Sequence, residues 1–423
     1  MSSFAMALRA LGSRNYRLFF AGQTISLIGT WMTRLATSWL VYRLTGSAVL
    51  LGVVSFFGQV PMFFLGPIAG VWVDRWDRQR TLVLTQVVSM LQSLALAALT
   101  FAGVIRVWHI VALALVQGVV NAIDMPARQS FLIQMVERRE DLPNAIALNS
   151  SMVNATRLIG PAIAGVVIGA VGEAWCFLID GVSYIAVIAS LVAMRISRPP
   201  VRRVRRSGLE ELSEGWRYVR GSRPIYALLL LLALLSLVGM PYTVLMPIFA
   251  DRILHGGAHT LGFLMGASGV GALVAALLLA MRKTIAGLGR WIPIAAALFG
   301  AGLIGFALSR ALWLSLLILP FAGFGMMQAM AATNTILQTI VEDDKRGRVM
   351  AYYAMAFQGV APFGSLMAGW VTDRIGAPAT LVVGGAFCVA GAAWFGWKLA
   401  SLREIVRPIY VRLGIVPELT TEG

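Results

Sequence analysis

The sequence predicts an all-α polytopic membrane protein with twelve transmembrane helices arranged as two six-helix bundles. Three observations support this fold class. Of the 423 residues, 58% are hydrophobic and only 13% are charged, whereas a soluble protein carries about twice that charged fraction. The mean hydropathy is +0.79. Twelve apolar stretches reach the length of about 20 residues that a helix needs to cross the hydrocarbon layer.

The twelve stretches are separated by polar connections, none of them long enough to form a soluble domain. Gly or Pro interrupts several stretches without shortening them below a membrane span. The spans are predicted near 18–42, 48–73, 81–104, 107–127, 145–171, 174–194, 225–249, 260–281, 291–309, 311–334, 350–371 and 378–400.

Basic residues are distributed unequally between alternate connections. If the N-terminus is inside, the connections on that side hold 28 of the 35 Lys and Arg residues, and those on the other side hold 5. The positive-inside rule therefore places both termini in the cytoplasm, in a multi-pass protein of the cell inner (plasma) membrane. Nucleic acid is excluded as a partner, because the charges are dispersed along the bilayer edge and do not form one basic face.

The longest polar stretch divides the chain into two halves of six spans each, so the halves have the same orientation. The predicted domains are an N-terminal bundle at 1–194, a cytoplasmic loop at 195–223, a C-terminal bundle at 224–400 and a cytoplasmic tail at 401–423. Two halves of equal span number and the same orientation are typical of an internal duplication. In transporters built this way, a cavity lies between the halves, near the bilayer midplane, and opens alternately to each side.

The central loop contains four closely spaced arginines followed by an amphipathic segment at 209–218. One interpretation is a linker whose arginines hold anionic lipid headgroups. The other is a helix that docks a partner. Both interpretations place this segment at the cytoplasmic surface.

Cysteine and histidine spacing gives no metal site. Cys176 and Cys388 each lie alone within a span, so neither a disulfide framework nor a metal-binding spacing is present. His255 and His259 lie four residues apart without further donors nearby. The nucleotide-binding pattern G-x-x-x-x-G-K-S/T does not occur, and no nucleophile–base cluster is found. We therefore predict no cofactor, no metal and no enzymatic activity.

The connection after the second span reads GPIAGVWVDRWDRQR. It resembles the loop signature G-x-x-x-D-R/K-x-G-R/K-R/K of the major facilitator superfamily. The residues that match the signature are Gly70, Asp74, Arg75, Arg78 and Arg80. Asp77 replaces the second glycine, which is similar to the bacterial exporters that include enterobactin and macrolide efflux proteins. The resemblance covers nearly the whole chain and implies that this loop latches helices in the outward-facing state; a solvated loop charge is the alternative.

Span five contains Gly160, Pro161 and Gly165. These residues resemble the kinked fifth helix of exporters in the same superfamily. Pro161 removes a helical hydrogen bond and the glycines permit close packing, so a well-packed kink without a transport role is the alternative.

Charged residues inside a membrane are costly and usually mark a pathway or an ion pair. Four of them lie in the first half: Arg34, Asp124, Arg157 and Asp180. Depths derived from a rise of about 1.5 Å per residue predict an outer pair of Arg34 with Asp180 and an inner pair of Asp124 with Arg157. Three roles remain open: structural ion pairs, binding of a polar substrate group, or proton exchange by a carboxyl group. Asp180 is the better proton candidate, because Asp124 has Arg128 one turn away. A gate at the cytoplasmic mouth is the alternative role for Asp124.

The second half has no ionisable group deep within a span. Its polar or adaptable cavity candidates are Tyr242, Gln328, Met330, Asn334 and Gln358. Methionine adapts to varied apolar ligands, although ordinary core packing explains a Met stripe equally well. Cationic groups on one wall and adaptable groups on the other favour an amphipathic, anionic molecule.

The superfamily resemblance implies transport coupled to the proton gradient. We predict a monomeric secondary active transporter that exports small amphipathic molecules, drug-like or siderophore-like, across the inner membrane by alternating access in exchange for protons. The alternatives are a lipid or lysophospholipid flippase and, in a different class, a non-transporting membrane receptor or scaffold.

Overall fold

The computed structural model describes residues 9–73, 76–195, 208–282, 284–412 and 415. These residues form helices joined by short connections, which confirms the predicted all-α class. In chain order the α-helices of this described part are α1 (Arg14–Thr45), α2 (Ala48–Val73), α3 (Arg78–Phe101), α4 (Val107–Met135), α5 (Leu142–Val171), α6 (Glu173–Ala193), α7 (Gly208–Gly221), α8 (Arg223–Leu234), α9 (Tyr242–Ile248), α10 (Ala258–Ala280), α11 (Leu288–Leu308), α12 (Leu312–Ile340), α13 (Asp343–Ala354), α14 (Ala361–Ile375) and α15 (Ala377–Arg412). π-helical turns follow α8, α9 and α13 at Leu235–Gly239, Phe249–Ile253 and Met355–Gly359.

Ten helical segments of the described residues are long and apolar enough to cross a membrane. They lie in α2 to α6, in the run Arg223–Ile253, in α10 to α12 and in α15. The other two predicted spans correspond to α1 and to the run from α13 to α14. Helix α1 buries polar side chains such as Gln23 and Ser26, and these lower its hydropathy. Helix α14 has only 15 residues and follows a π turn.

The helices form two compact units. Their bounds are Met1–Arg205 with Val244–Gly269 for the first unit, and Arg206–Thr243 with Val270–Gly423 for the second. The beginning of α10 therefore packs with the first unit. The domain division placed at the loop 195–223 stays a prediction.

One end of the first unit is held together by the beginning of α1. Tyr16 is fully buried with Phe131 in a single apolar cluster, and its hydroxyl donates to the carbonyl of Ala145 at 2.8 Å. Asn15 exchanges two hydrogen bonds with the backbone of Arg195, at 2.9 and 3.2 Å. These contacts join α1 to the beginning of α5 and to the end of α6.

The opposite end of the first unit is joined by charged and polar side chains. The Arg43 guanidinium donates to both oxygens of the buried Glu173 carboxylate, at 2.7 and 3.1 Å. The Tyr42 hydroxyl donates to Asp251 at 2.8 Å. The end of α1 is thus fixed to the first turn of α6 and to the π turn Phe249–Ile253.

Close helix packing holds the second unit together. A Cβ atom on Gly300 would lie 2.5 Å from the Gly385 carbonyl oxygen, so α11 and α15 approach too closely there for a larger residue. The ring of Tyr242 lies edge-on to Phe299, with 6.0 Å between the ring centroids.

The amphipathic segment of the central loop forms α7, which packs on α13 within the second unit. The Glu214 carboxylate lies 2.6 Å from the Arg348 guanidinium, and the Trp216 ring centroid lies 5.6 Å from that of Tyr352. Burial of Tyr218 on the same helix raises the pKa of its hydroxyl. The surface on which α7 docks therefore belongs to this chain itself. The arginines at 202–206 lie outside the described residues.

Candidate functional site

Asp180 is a buried carboxyl group within α6, with 1% of the residue exposed. The Ser93 hydroxyl of α3 donates to its Oδ2 atom at 2.6 Å. Its Oδ1 atom accepts no hydrogen bond from the described residues and faces Gly29 of α1, where a Cβ atom would lie 2.8 Å away. The Thr33 hydroxyl lies beside this carboxyl group. Neutral groups therefore surround Asp180.

The predicted ion pair of Arg34 with Asp180 is absent from the residues that the structure describes. No nitrogen of Arg34 lies within 4.0 Å of either carboxylate oxygen. Successive residues of an α-helix are rotated by about 100°, so the side of α1 that carries Gly29 and Thr33 points away from Arg34. The depth estimate was wrong here because it gave a height along the helix and no direction around it.

Asp124 also has partners other than the predicted one. Thr85 and Gln86 of α3 donate to its Oδ1 atom at 2.8 and 2.7 Å. Arg128, one turn along the same helix, pairs with its Oδ2 atom. No ion pair joins Asp124 to Arg157 in the described part of the chain. Asp124 thus belongs to a fully bonded polar group between α3 and α4.

Arg34 and Arg157 both lie over the indole ring of Trp31. Their Cζ atoms are 4.8 and 5.7 Å from the ring centroid. A Cβ atom on Gly160 would lie 2.5 Å from the Trp31 Cβ, so α5 and α1 are in close contact at this point. Sequence reasoning missed Trp31, although the spacing of three residues between Trp31 and Arg34 places both on one side of a helix.

The remaining residues of the predicted kink join α5 to the beginning of α10. A Cβ atom on Gly165 would lie 2.9 Å from the Ala258 carbonyl oxygen, and one on Gly262 would lie 2.7 Å from the Pro161 carbonyl oxygen. Helix α5 continues through Pro161. The motif thus permits two close helix contacts, on α1 and on α10.

The signature loop is described in part. Gly70 lies in α2 and Arg78 begins α3. Asp77, which replaces the second glycine of the signature, caps α3 by accepting a hydrogen bond from the Arg80 amide at 3.0 Å. The Arg80 side chain is 77% exposed and lies 3.9 Å from Asp77. The two remaining signature residues lie outside the described part: Asp74 and Arg75. The latch stays a prediction.

Three of the five predicted cavity residues lie on α12. Gln328 is buried, and its Oε1 atom has no hydrogen-bond partner among the described residues. The Met330 carbonyl accepts a hydrogen bond from the Tyr353 hydroxyl at 3.2 Å. Asn334 accepts one from Gln338 at 3.1 Å.

One of the other two cavity candidates lies within a π turn and the second lies shortly after one; such turns often occur at functional sites. Tyr242 follows the turn Leu235–Gly239 and is buried. Gln358 lies within the turn Met355–Gly359 and is half-buried. The role of all five residues in a cavity stays a prediction.

A sequence comparison identifies the family. Residues 5–405 match the profile of a family described as transmembrane secretion effector. The chain belongs to this family of the major facilitator superfamily. The predicted superfamily and exporter branch are thereby confirmed, and the chain is a multi-pass membrane transporter and not an enzyme.

Relatives of known name are similar to this chain over most of their length. It is 26% identical to the staphyloferrin A transporter of Staphylococcus aureus over 384 residues, which cover 90% of this chain and 95% of that protein. It is 23% identical to macrolide efflux protein A of Streptococcus pyogenes over 374 residues, which cover 86% and 91%. The crystal structure of a POT family transporter in complex with 5-aminolevulinic acid has the same fold, with a TM-score of 0.72, 11% identity and coverage of 93% and 96%.

Proposed function

We propose that this transporter exports small amphipathic molecules, drug-like or siderophore-like, across the inner membrane by alternating access in exchange for protons. The observation that supports proton coupling best is the environment of Asp180. The carboxyl group is buried, a neutral hydroxyl donates to it, and no cationic side chain lies within 4.0 Å among the described residues. Desolvation makes the charged form of such a group costly. A change in access to water therefore changes its protonation.

The proposed cargo follows from the relatives. One is named for a siderophore and another for macrolides, and each resembles this chain over most of its length. Because their names point to different compounds, we propose only a broad cargo class, a small molecule with polar and apolar parts.

The proposed topology has twelve spans, with both termini in the cytoplasm. Helix α1 has 32 residues and reaches about 48 Å, more than the hydrocarbon thickness of about 30 Å. The unequal distribution of Lys and Arg supports the orientation. Reporter tags at the two ends test it: both should be active only in the cytoplasm, and tags on opposite faces would contradict the twelve-span topology.

We further propose that the protein acts as a monomer and that the loop from Gly70 to Arg80 latches helices during the transport cycle. The capping of α3 by Asp77 supports a defined position for the described end of this loop.

Transport is tested first with a susceptibility panel in an efflux-deficient host that expresses the gene. The panel contains macrolides, amphipathic organic anions and iron-free siderophores. The compound with the largest shift is then offered to inside-out membrane vesicles with an acidic interior. We expect uptake that requires the pH gradient and stops when a protonophore is added. Uptake unaffected by the protonophore would contradict proton coupling, and no shift with any compound would contradict export of this cargo class.

A further inference from the structure

Two guanidinium groups of the first unit lie over one aromatic ring. The Cζ atoms of Arg34 and Arg157 are 4.8 and 5.7 Å from the centroid of the Trp31 indole. Arg34 is exposed, and the other two residues are half-buried. The close contact of Gly160 with Trp31 fixes the two helices that carry these side chains.

Neither guanidinium has a carboxylate partner within 4.0 Å among the described residues. Arg157 lies within a candidate membrane span, and α1 is proposed to be another. Arginines in spans are costly and normally pair with an anion or a backbone carbonyl. The face of one indole attracts both cations but provides no hydrogen-bond acceptor in the plane of a guanidinium group. Two cations near one ring also repel each other. The site is therefore short of negative charge.

We propose that Arg34 and Arg157, both held over Trp31, bind the anionic group of the transported molecule, an organic anion with a flat apolar part. A carboxylate or phosphate accepts hydrogen bonds from the guanidinium groups, and the indole holds both guanidinium groups in place. An anionic lipid headgroup has the same charged chemistry, and the experiment below distinguishes the two sources. This inference rests on the proposed function, because it assigns a substrate class to the transporter.

The anion site and the buried carboxyl group lie on different sides of α1. Gly29 faces Asp180. Trp31 and Arg34 lie on another side of the same helix, because successive residues are rotated by about 100°. The two sites thus have separate side chains. Binding of the anion can be measured at equilibrium without transport, so failure of this inference and failure of the proposed export are distinguishable.

The test is equilibrium dialysis of the purified full-length protein in phosphatidylcholine nanodiscs. The probes are 1-naphthoate and its neutral analogue 1-naphthamide, which have the same ring system and differ in charge. We expect the wild-type protein to bind naphthoate at least about tenfold more tightly than naphthamide.

The variants are Arg34→Gln, Arg157→Gln and the double substitution. Each single change should weaken naphthoate binding about tenfold and leave naphthamide binding unchanged. Arg17→Gln is the matched control, because Arg17 is also an exposed arginine of α1. Like Arg34→Gln, this substitution removes one positive charge, so it controls for the general attraction of anions by the net charge of +16. Arg34→Lys retains the charge and should retain more affinity than Arg34→Gln, which separates loss of charge from loss of fold.

Three results would overturn the proposal. The first is equal binding of naphthoate and naphthamide by the wild-type protein. The second is unchanged naphthoate binding by a double variant that elutes as a single folded species. The third is loss of naphthoate binding in nanodiscs that contain phosphatidylglycerol, because the site would then take a lipid headgroup and not the cargo.

Discussion

The Ser93 hydroxyl on α3 lies 2.6 Å from the Oδ2 atom of Asp180 on α6. A buried acid of this transporter is thus held by a neutral donor from a neighbouring helix. A hydroxyl both donates and accepts, so it can remain bonded to the carboxyl group in either protonation state. An arginine at the same place would favour only the charged state.

Ser93→Ala removes this donor and should lower pH-driven uptake about tenfold, because the charged carboxylate loses a hydrogen bond and proton release becomes costlier. Ser93→Thr keeps the hydroxyl and should retain most of the uptake. The measurement is the initial rate in inside-out vesicles at matched expression. Equal rates for the alanine variant and the wild-type protein would remove Ser93 from the coupling site.

Asp124→Asn should act on stability. Thr85, Gln86 and Arg128 all bond to this carboxylate, and the substitution leaves the Arg128 guanidinium without its anion. We expect a loss of about 1–3 kcal/mol in the free energy of unfolding, seen as a lower thermal midpoint of the purified protein. Asp373→Asn, at an exposed position, is the control and should melt like the wild-type protein. An unchanged midpoint for Asp124→Asn would argue against a structural role.

Gly160→Ala should separate α1 from α5. The added Cβ would lie 2.5 Å from the Trp31 Cβ, whereas a Cβ on Gly169 of the same helix meets no atom within 4 Å. We expect Gly160→Ala to lower both transport and the thermal midpoint, because overpacking costs about 1–3 kcal/mol. Gly169→Ala should leave both unchanged. Similar behaviour of the two variants would show that the contact at Trp31 is not tight.

The ion pair of Glu214 with Arg348 should stabilise the docking of α7 on α13. The side chain of Arg348 is 14% exposed and that of Glu214 is 48% exposed, so solvent screening limits the coupling to about 1 kcal/mol or less. A double-mutant cycle with Glu214→Gln and Arg348→Gln, followed by thermal unfolding, measures it. Additive effects of the two substitutions would mean that the pair contributes nothing.

Sequence patterns predicted the fold well, because membrane spans depend on local hydropathy and on charge at their ends. Span one is instructive. Polar residues such as Gln23 and Ser26 make α1 less apolar than its neighbours, and both side chains are buried within the protein. The docking of α7 on α13 could not be predicted. An amphipathic helix indicates that its apolar side packs on some surface, but the sequence does not identify that surface.

The sequence pointed to the charged residues within the spans, but not to the contacts that they make. The spacing of Asp124 and Arg128 is local and placed the two residues one turn apart, and the structure shows an ion pair between them. The pairs of Arg34 with Asp180 and of Asp124 with Arg157 depended on the rotation of separate helices, which no single sequence specifies. Trp31 was missed because an aromatic residue in a span is usually read as packing.

Proton coupling through Asp180 is tested most directly by comparing two transport modes of one variant in proteoliposomes. Asp180→Asn keeps the size of the side chain but cannot exchange a proton, with Asp373→Asn as the control. We predict that Asp180→Asn loses uptake driven by a pH gradient and retains exchange of labelled for unlabelled cargo across the membrane. Uptake by Asp180→Asn that still follows the pH gradient at the wild-type rate would contradict this account.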